Sequence, residues 1–279
     1  MRASNTYDRP VTNWYDNTTL PRFDRPPVVE TAMAIEFAPI SGLDFFKLTR
    51  LQSAWEDTYP NISDKPGAPP TPPAFDADNV MQFTIGEPPR RIWAESPVSG
   101  LLVQSQSDRL ILNWRRDFTE LRYPGYSASL RNEYERVWGL LLVFLEKQGL
   151  SAPSPVLAEF TYVNAVPLTS DDELQNVVTV VRSPEHELPG TDRFGRFQFV
   201  RSVVQSQEHP FNASINVQGE PQDLPDGSRQ LVFTVVSRVL LAASSGEPLA
   251  GMDAAHALAA QTFARIVTDQ KQQEWGRTN

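Results

Sequence analysis

The chain has 279 residues, 40% of them hydrophobic and 21% charged, a formal net charge of −9 and no cysteine. That length suffices for one large domain or two small ones with real cores, and the missing cysteine excludes disulfides, thiolate metal sites and cysteine nucleophiles. The acidic balance argues against a general nucleic-acid or membrane-surface role. With no run near the ~18 apolar residues of a membrane span, and no signal-peptide core in residues 1–27, a cytoplasmic protein is expected.

Residues 1–27 are polar, contain Pro10, Pro21, Pro26 and Pro27, and predict an extended N-terminal arm. Trp14, Tyr15 and Phe23 are expected to dock it on the body or on a partner. Val28 to Phe37 alternates and predicts the first strand. A helix follows near Leu43 to Asp57, capped by Ser41 or Asp44 and stopped at Tyr59-Pro60. Gly67 to Pro73 reads as an extended polyproline surface loop. Strands are predicted at Met81–Ile85, Arg91–Ser96, Leu101–Gln106 and Leu110–Arg115, the last two forming a hairpin across Ser107-Asp108. A long helix from Ser127 to Gln148 carries an apolar stripe that includes Tyr134, Val137, Trp138 and Leu141, with Gly149 as its C-terminal cap.

The later part partly repeats this order. Leu157–Val166 predicts a strand, and a polar loop with a short helix runs through Asp171 to Arg182. Strands at Arg196–Gln207, Ala213–Gly219 and Gln230–Ala242 come next. A closing helix over Asp253–Trp275 starts at an Asp253 cap. The expected fold is α+β, with two topologically similar halves, 28–150 and 151–279, each an antiparallel sheet backed by a long helix.

Motifs for catalysis are absent. There is no nucleophile elbow around Ser127 and Ser129, no phosphate loop and no dinucleotide fingerprint, so no cofactor is expected. His186 and His209, with Glu187 or Glu208, could gather as metal ligands, but loop positions favour solvated histidines. His256 reads as a surface or helix-packing residue. The carboxylates Asp171, Asp172 and Glu173 fit a solvated helix start better than a cation site. The most distinctive group is Arg109, Asn113, Trp114, Arg115, Arg116 and Tyr123, where guanidinium groups beside aromatic faces suit recognition of a small anion, a nucleotide or a peptide. The competing structural reading packs Trp114 and Tyr123 under the long helix and pairs the arginines with Asp117 and Glu120.

Pro26 to Glu30, the hairpin ending in Asn113-Trp-Arg-Arg116, Tyr123-Pro124, the Trp138 helix and Thr161 to Asn164 also resemble, in this order, an uncharacterised and sporadically distributed prokaryotic family of about 250 residues. The resemblance implies a prokaryotic cytosolic protein, and the patchy distribution implies a conflict or defence role. It supplies no site residues. The leading expectation is a non-enzymatic binding or assembly protein that meets a protein partner, or a second copy of itself, through sheet surface and exposed aromatics such as Trp14, Tyr15, Trp93 and Trp275. A small-molecule or nucleotide sensor and a metal-dependent enzyme are the alternatives.

Overall fold

The computed structural model describes residues 20–68, 90–116, 121–168, 174–180, 196–204, 211–241 and 248–278. The strands are β1 (Val28–Phe37), β2 (Asn61–Pro66), β3 (Arg90–Glu95), β4 (Leu101–Gln106), β5 (Arg109–Arg115), β6 (Pro155–Leu168), β7 (Phe197–Val203), β8 (Ala213–Asp223) and β9 (Arg229–Leu240). The helices are α1 (Phe45–Gln52), α2 (Arg131–Lys147), α3 (Pro248–Ile266) and α4 (Asp269–Glu274). A π-turn at Tyr126–Leu130 leads into α2.

All nine strands belong to one antiparallel sheet in the order β2-β3-β4-β5-β1-β6-β9-β8-β7. This corrects the expected pair of separate sheets, each backed by its own long helix. β1 and β6 sit side by side in the middle, with Met33 opposite Phe160 and Thr31 opposite Tyr162. The physical reason is edge burial. Two sheets would each leave an apolar strand with unpaired backbone groups, and joining β1 to β6 satisfies both rows at once.

Strand alternation decides which side chains meet the helices. On β1, Thr31, Met33, Ile35 and Phe37 point to the core, where Leu110, Leu112 and Trp114 of β5 and Phe160 and Tyr162 of β6 join them. Phe160 and Phe233 are completely buried, and each such ring contributes roughly 1.5–3 kcal/mol. Helix α3 packs on β6 and β9. Gly251 allows that approach, because a Cβ there would stand 2.3 Å from Leu241 and 3.4 Å from Ala158.

The Asp44 carboxylate accepts from Lys47 N (2.9 Å) and caps α1, which is shorter than expected. Helix α2 buries the expected stripe of Tyr134, Val137, Trp138 and Leu141. It ends at Gly149, whose φ of 65° suits a left-handed cap. The closing helix is not continuous. It breaks after Ile266, Val267 bridges to Val178, and Thr268 caps a new helix by accepting from Lys271 N. Asp253 therefore lies inside α3 and caps nothing. β2 has no counterpart in the sequence reading, while the strand expected at Met81–Ile85 lies outside the described residues. Among the described residues no helix is long and apolar enough to cross a membrane.

Candidate functional site

The site begins with inward-pointing residues of β6. Phe160 and Tyr162 are two apart and so face α3 together. The α3 residue that meets them is His256, whose Nε2 lies 3.0 Å from the Tyr162 hydroxyl. That hydroxyl is also 3.4 Å from the hydroxyl of Tyr123, which gives a chain Tyr123–Tyr162–His256. His256 stacks on the ring of Tyr126 at 3.8 Å between centroids and 9° between planes. One turn earlier on α3, Asp253 Oδ1 accepts from the Tyr126 hydroxyl (2.6 Å) and from Arg131 Nε (3.2 Å), which ties the start of α2 to α3. His256 Nδ1 is buried and has no hydrogen-bond partner.

Beside this cluster is a cavity of about 470 Å³, lined by Tyr123, Tyr126, Tyr162, His256, Ala260 and Phe263 on one side. Leu20 to Asp24, Pro26 and Val28 line it as well, the charged Arg22 and Asp24 among them. They are held there by the chain's last residues: Asp24 N donates to Gly276 O (3.2 Å), Arg25 N to Trp275 O (3.0 Å) and Thr278 N to Arg22 O (3.0 Å). Phe23 meets Phe263 edge to face at 5.4 Å. Gly125, with a φ of 81°, turns the chain from Tyr123-Pro124 into the π-turn and lines the same space.

Burial sets the charge state of these groups. It raises the hydroxyl pKa of Tyr123, of Tyr162 and of Tyr126, with Asp253 adding to the rise at Tyr126. It lowers the His256 imidazole to about 3. All four side chains are therefore neutral at physiological pH. The wall offers uncharged donors, acceptors and ring faces.

The six residues singled out from the sequence are divided by the sheet. On β5, Arg109, Asn113 and Arg115 point away from the helices, whereas Trp114 points towards them. Arg109 is buried and pairs with Glu36 (3.1 Å) and Asp108 (3.1 Å). Asn113 Nδ2 donates to Glu30 Oε1 (2.9 Å), and its Oδ1 accepts from Gln104 Nε2 (2.6 Å). Arg115 Nη2 donates to Glu95 Oε1 (3.1 Å) and its guanidinium stands 5.9 Å from the Trp93 ring centroid. Arg116 is exposed. Trp114 is buried behind Tyr123, edge to face at 5.6 Å, and Tyr123 alone of the six lines the cavity. Asp117 and Glu120, the expected arginine partners, lie outside the described residues, as do Trp14, Tyr15, His186, Glu187, Glu208, His209 and Asp171 to Glu173. Among the described residues no group of three or more His, Asp or Glu side chains is placed to hold a metal ion.

Sequence reasoning missed Tyr162, His256 and Asp253. The signal available was spacing: Asp253 and His256 are three apart on one helix face, and Phe160 and Tyr162 share one face of a strand. No family model matches the chain, and no curated protein or solved structure matches it either.

Proposed function

We propose that this protein is a non-enzymatic binding protein whose cavity takes a small, uncharged, ring-bearing molecule with a hydrogen-bonding group. The observation that carries this reading is the neutral Tyr123–Tyr162–His256 chain in the wall of the 470 Å³ cavity. The volume falls in the roughly 300–1,000 Å³ range of small-molecule sites, and an aromatic lining with a few polar groups is their usual composition.

The same charge states argue against proton-transfer chemistry. A general acid or base works best with a pKa near the working pH. Here burial moves the histidine to about 3 and the tyrosines upward, away from that range. The aromatic wall carries no charged side chain, and the charged residues of the cavity, Arg22 and Asp24, belong to the stretch that faces it. A neutral ligand would gain stacking and edge-to-face contact with the rings.

Isothermal titration with 2-naphthol as probe tests this. Saturable one-to-one binding is expected for the unaltered chain. Ala128 is exposed and lines the cavity, so Ala128→Trp narrows its mouth without touching the core. At least a tenfold loss is expected there, in line with the roughly 1.4 kcal/mol that separates decades of affinity. Absence of saturable binding, or equal affinity in the variant, would overturn the proposal.

A further inference from the structure

A second cavity, of about 380 Å³, lies at the far end of the sheet between α3 and strands β7 and β8. β7 is the last strand and pairs with β8 alone among the described strands. Phe199 and Arg201 of β7 are two residues apart and so face α3 together. Arg201 stands opposite Ile215 of β8, itself a core residue. From α3, Leu258, Thr262 and Arg265 recur at helical spacing and face the same space. The cavity thus has an apolar floor that includes Phe199, Ile215, Leu258 and Ile266, and two arginines at its rim.

Both arginines are exposed. Neither Arg201 nor Arg265 makes a salt bridge or side-chain hydrogen bond among the described residues. From the inward face of an edge strand an arginine lays its stem along the apolar floor and holds its guanidinium at the solvent side. The chain as a whole is acidic, at −9, so the pair does not belong to a generally basic surface. Two guanidinium groups over an apolar floor match an anion that carries a hydrocarbon tail. The planar, forked donors of arginine suit a carboxylate, and the floor offers more space than a bare anion fills.

We propose that this cavity binds a small monocarboxylate with an apolar tail, of medium-chain fatty-acid type, with Arg201 and Arg265 holding the carboxylate. This site is separate from the aromatic cavity and does not depend on it.

A titration series from butyrate to decanoate, kept below micelle-forming concentrations, reads both halves of the proposal. Affinity should rise about threefold to fourfold for each added methylene until the floor is covered. Replacing both arginines, Arg201→Gln with Arg265→Gln, should weaken decanoate by about tenfold or more while leaving 1-decanol unchanged. The two positions are exposed, so the double variant should keep its circular dichroism spectrum and melting midpoint. Thr262→Trp, which narrows the mouth, should weaken decanoate and decanol alike. Ala128→Trp, at the other cavity, should leave decanoate untouched. No saturable decanoate binding, equal binding in the double arginine variant, or loss of decanoate in Ala128→Trp would each overturn the assignment.

Discussion

Two clusters of polar and aromatic side chains lie on opposite faces of the same sheet, and they are built differently. On the face away from the helices, Arg109, Asn113 and Arg115 are each engaged: Glu36 and Asp108 hold Arg109, Glu30 and Gln104 hold Asn113, and Glu95 holds Arg115. On the helix face, Tyr123, Tyr162 and His256 form a neutral chain that borders an aromatic cavity, and the chain ends at an imidazole nitrogen with no partner. The first cluster completes the sheet. Each holds a buried polar atom without a partner, Gln104 Oε1 in the first and His256 Nδ1 in the second, but only the second lines a cavity described above. Residue chemistry alone ranks the arginine cluster first, whereas the position of the cavity ranks it second.

Breaking the arginine cluster should have the largest effect on stability. Arg109→Ala would leave the buried Glu36 carboxylate without its guanidinium, at a cost of about 3–5 kcal/mol by chemical denaturation. A loss below about 1 kcal/mol would mean that the buried pair is not holding the sheet. The aromatic cluster predicts a smaller effect that depends on pH. His256 has a folded pKa of about 3 against an unfolded value of 6.5. Between those values the unfolded chain binds a proton that the folded chain refuses. The associated stability is present above pH 6.5 and falls as pH drops, at up to about 1.4 kcal/mol per unit, until about pH 3. From pH 7 to pH 5 the unaltered chain should therefore lose about 2 kcal/mol more than a His256→Phe variant. Equal losses would show that the imidazole is accessible to protons in the fold. The smallest effect sharpens the contrast from the other side: Arg116 is exposed, and Arg116→Ala should change stability by no more than about 0.5 kcal/mol.

Much of the local structure was legible because its signals are periodic. The alternation of Val28–Phe37, the Tyr134–Leu145 stripe ended by Gly149, and the Leu101–Arg115 hairpin each carry their own pattern. β2, reading Asn-Ile-Ser-Asp-Lys-Pro, has little apolar alternation, as suits an exposed edge strand, and it was missed. The break between α3 and α4 was missed because it rests on Val178, some 90 residues away, pairing with Val267. The union of β1 with β6 is likewise a long-range pairing that neither strand announces. The candidate site was legible only at Tyr123. Asn113-Trp-Arg-Arg116 reads as one motif along the chain, yet the period of two in β5 sends Trp114 through to the core and leaves Asn113 and Arg115 behind. The residues that join Tyr123 come from β6 and α3, brought in by tertiary packing.

The neutrality of the Tyr123–Tyr162–His256 wall is the claim on which the proposed ligand class stands. It is tested most directly by following the His256 ring by NMR through an acid titration, with His186→Gln and His209→Gln introduced to isolate its signals. The imidazole should remain neutral below pH 4, with its midpoint near 3. A midpoint close to 6.5 would mean a wall that carries positive charge under mildly acidic conditions, and would contradict the account.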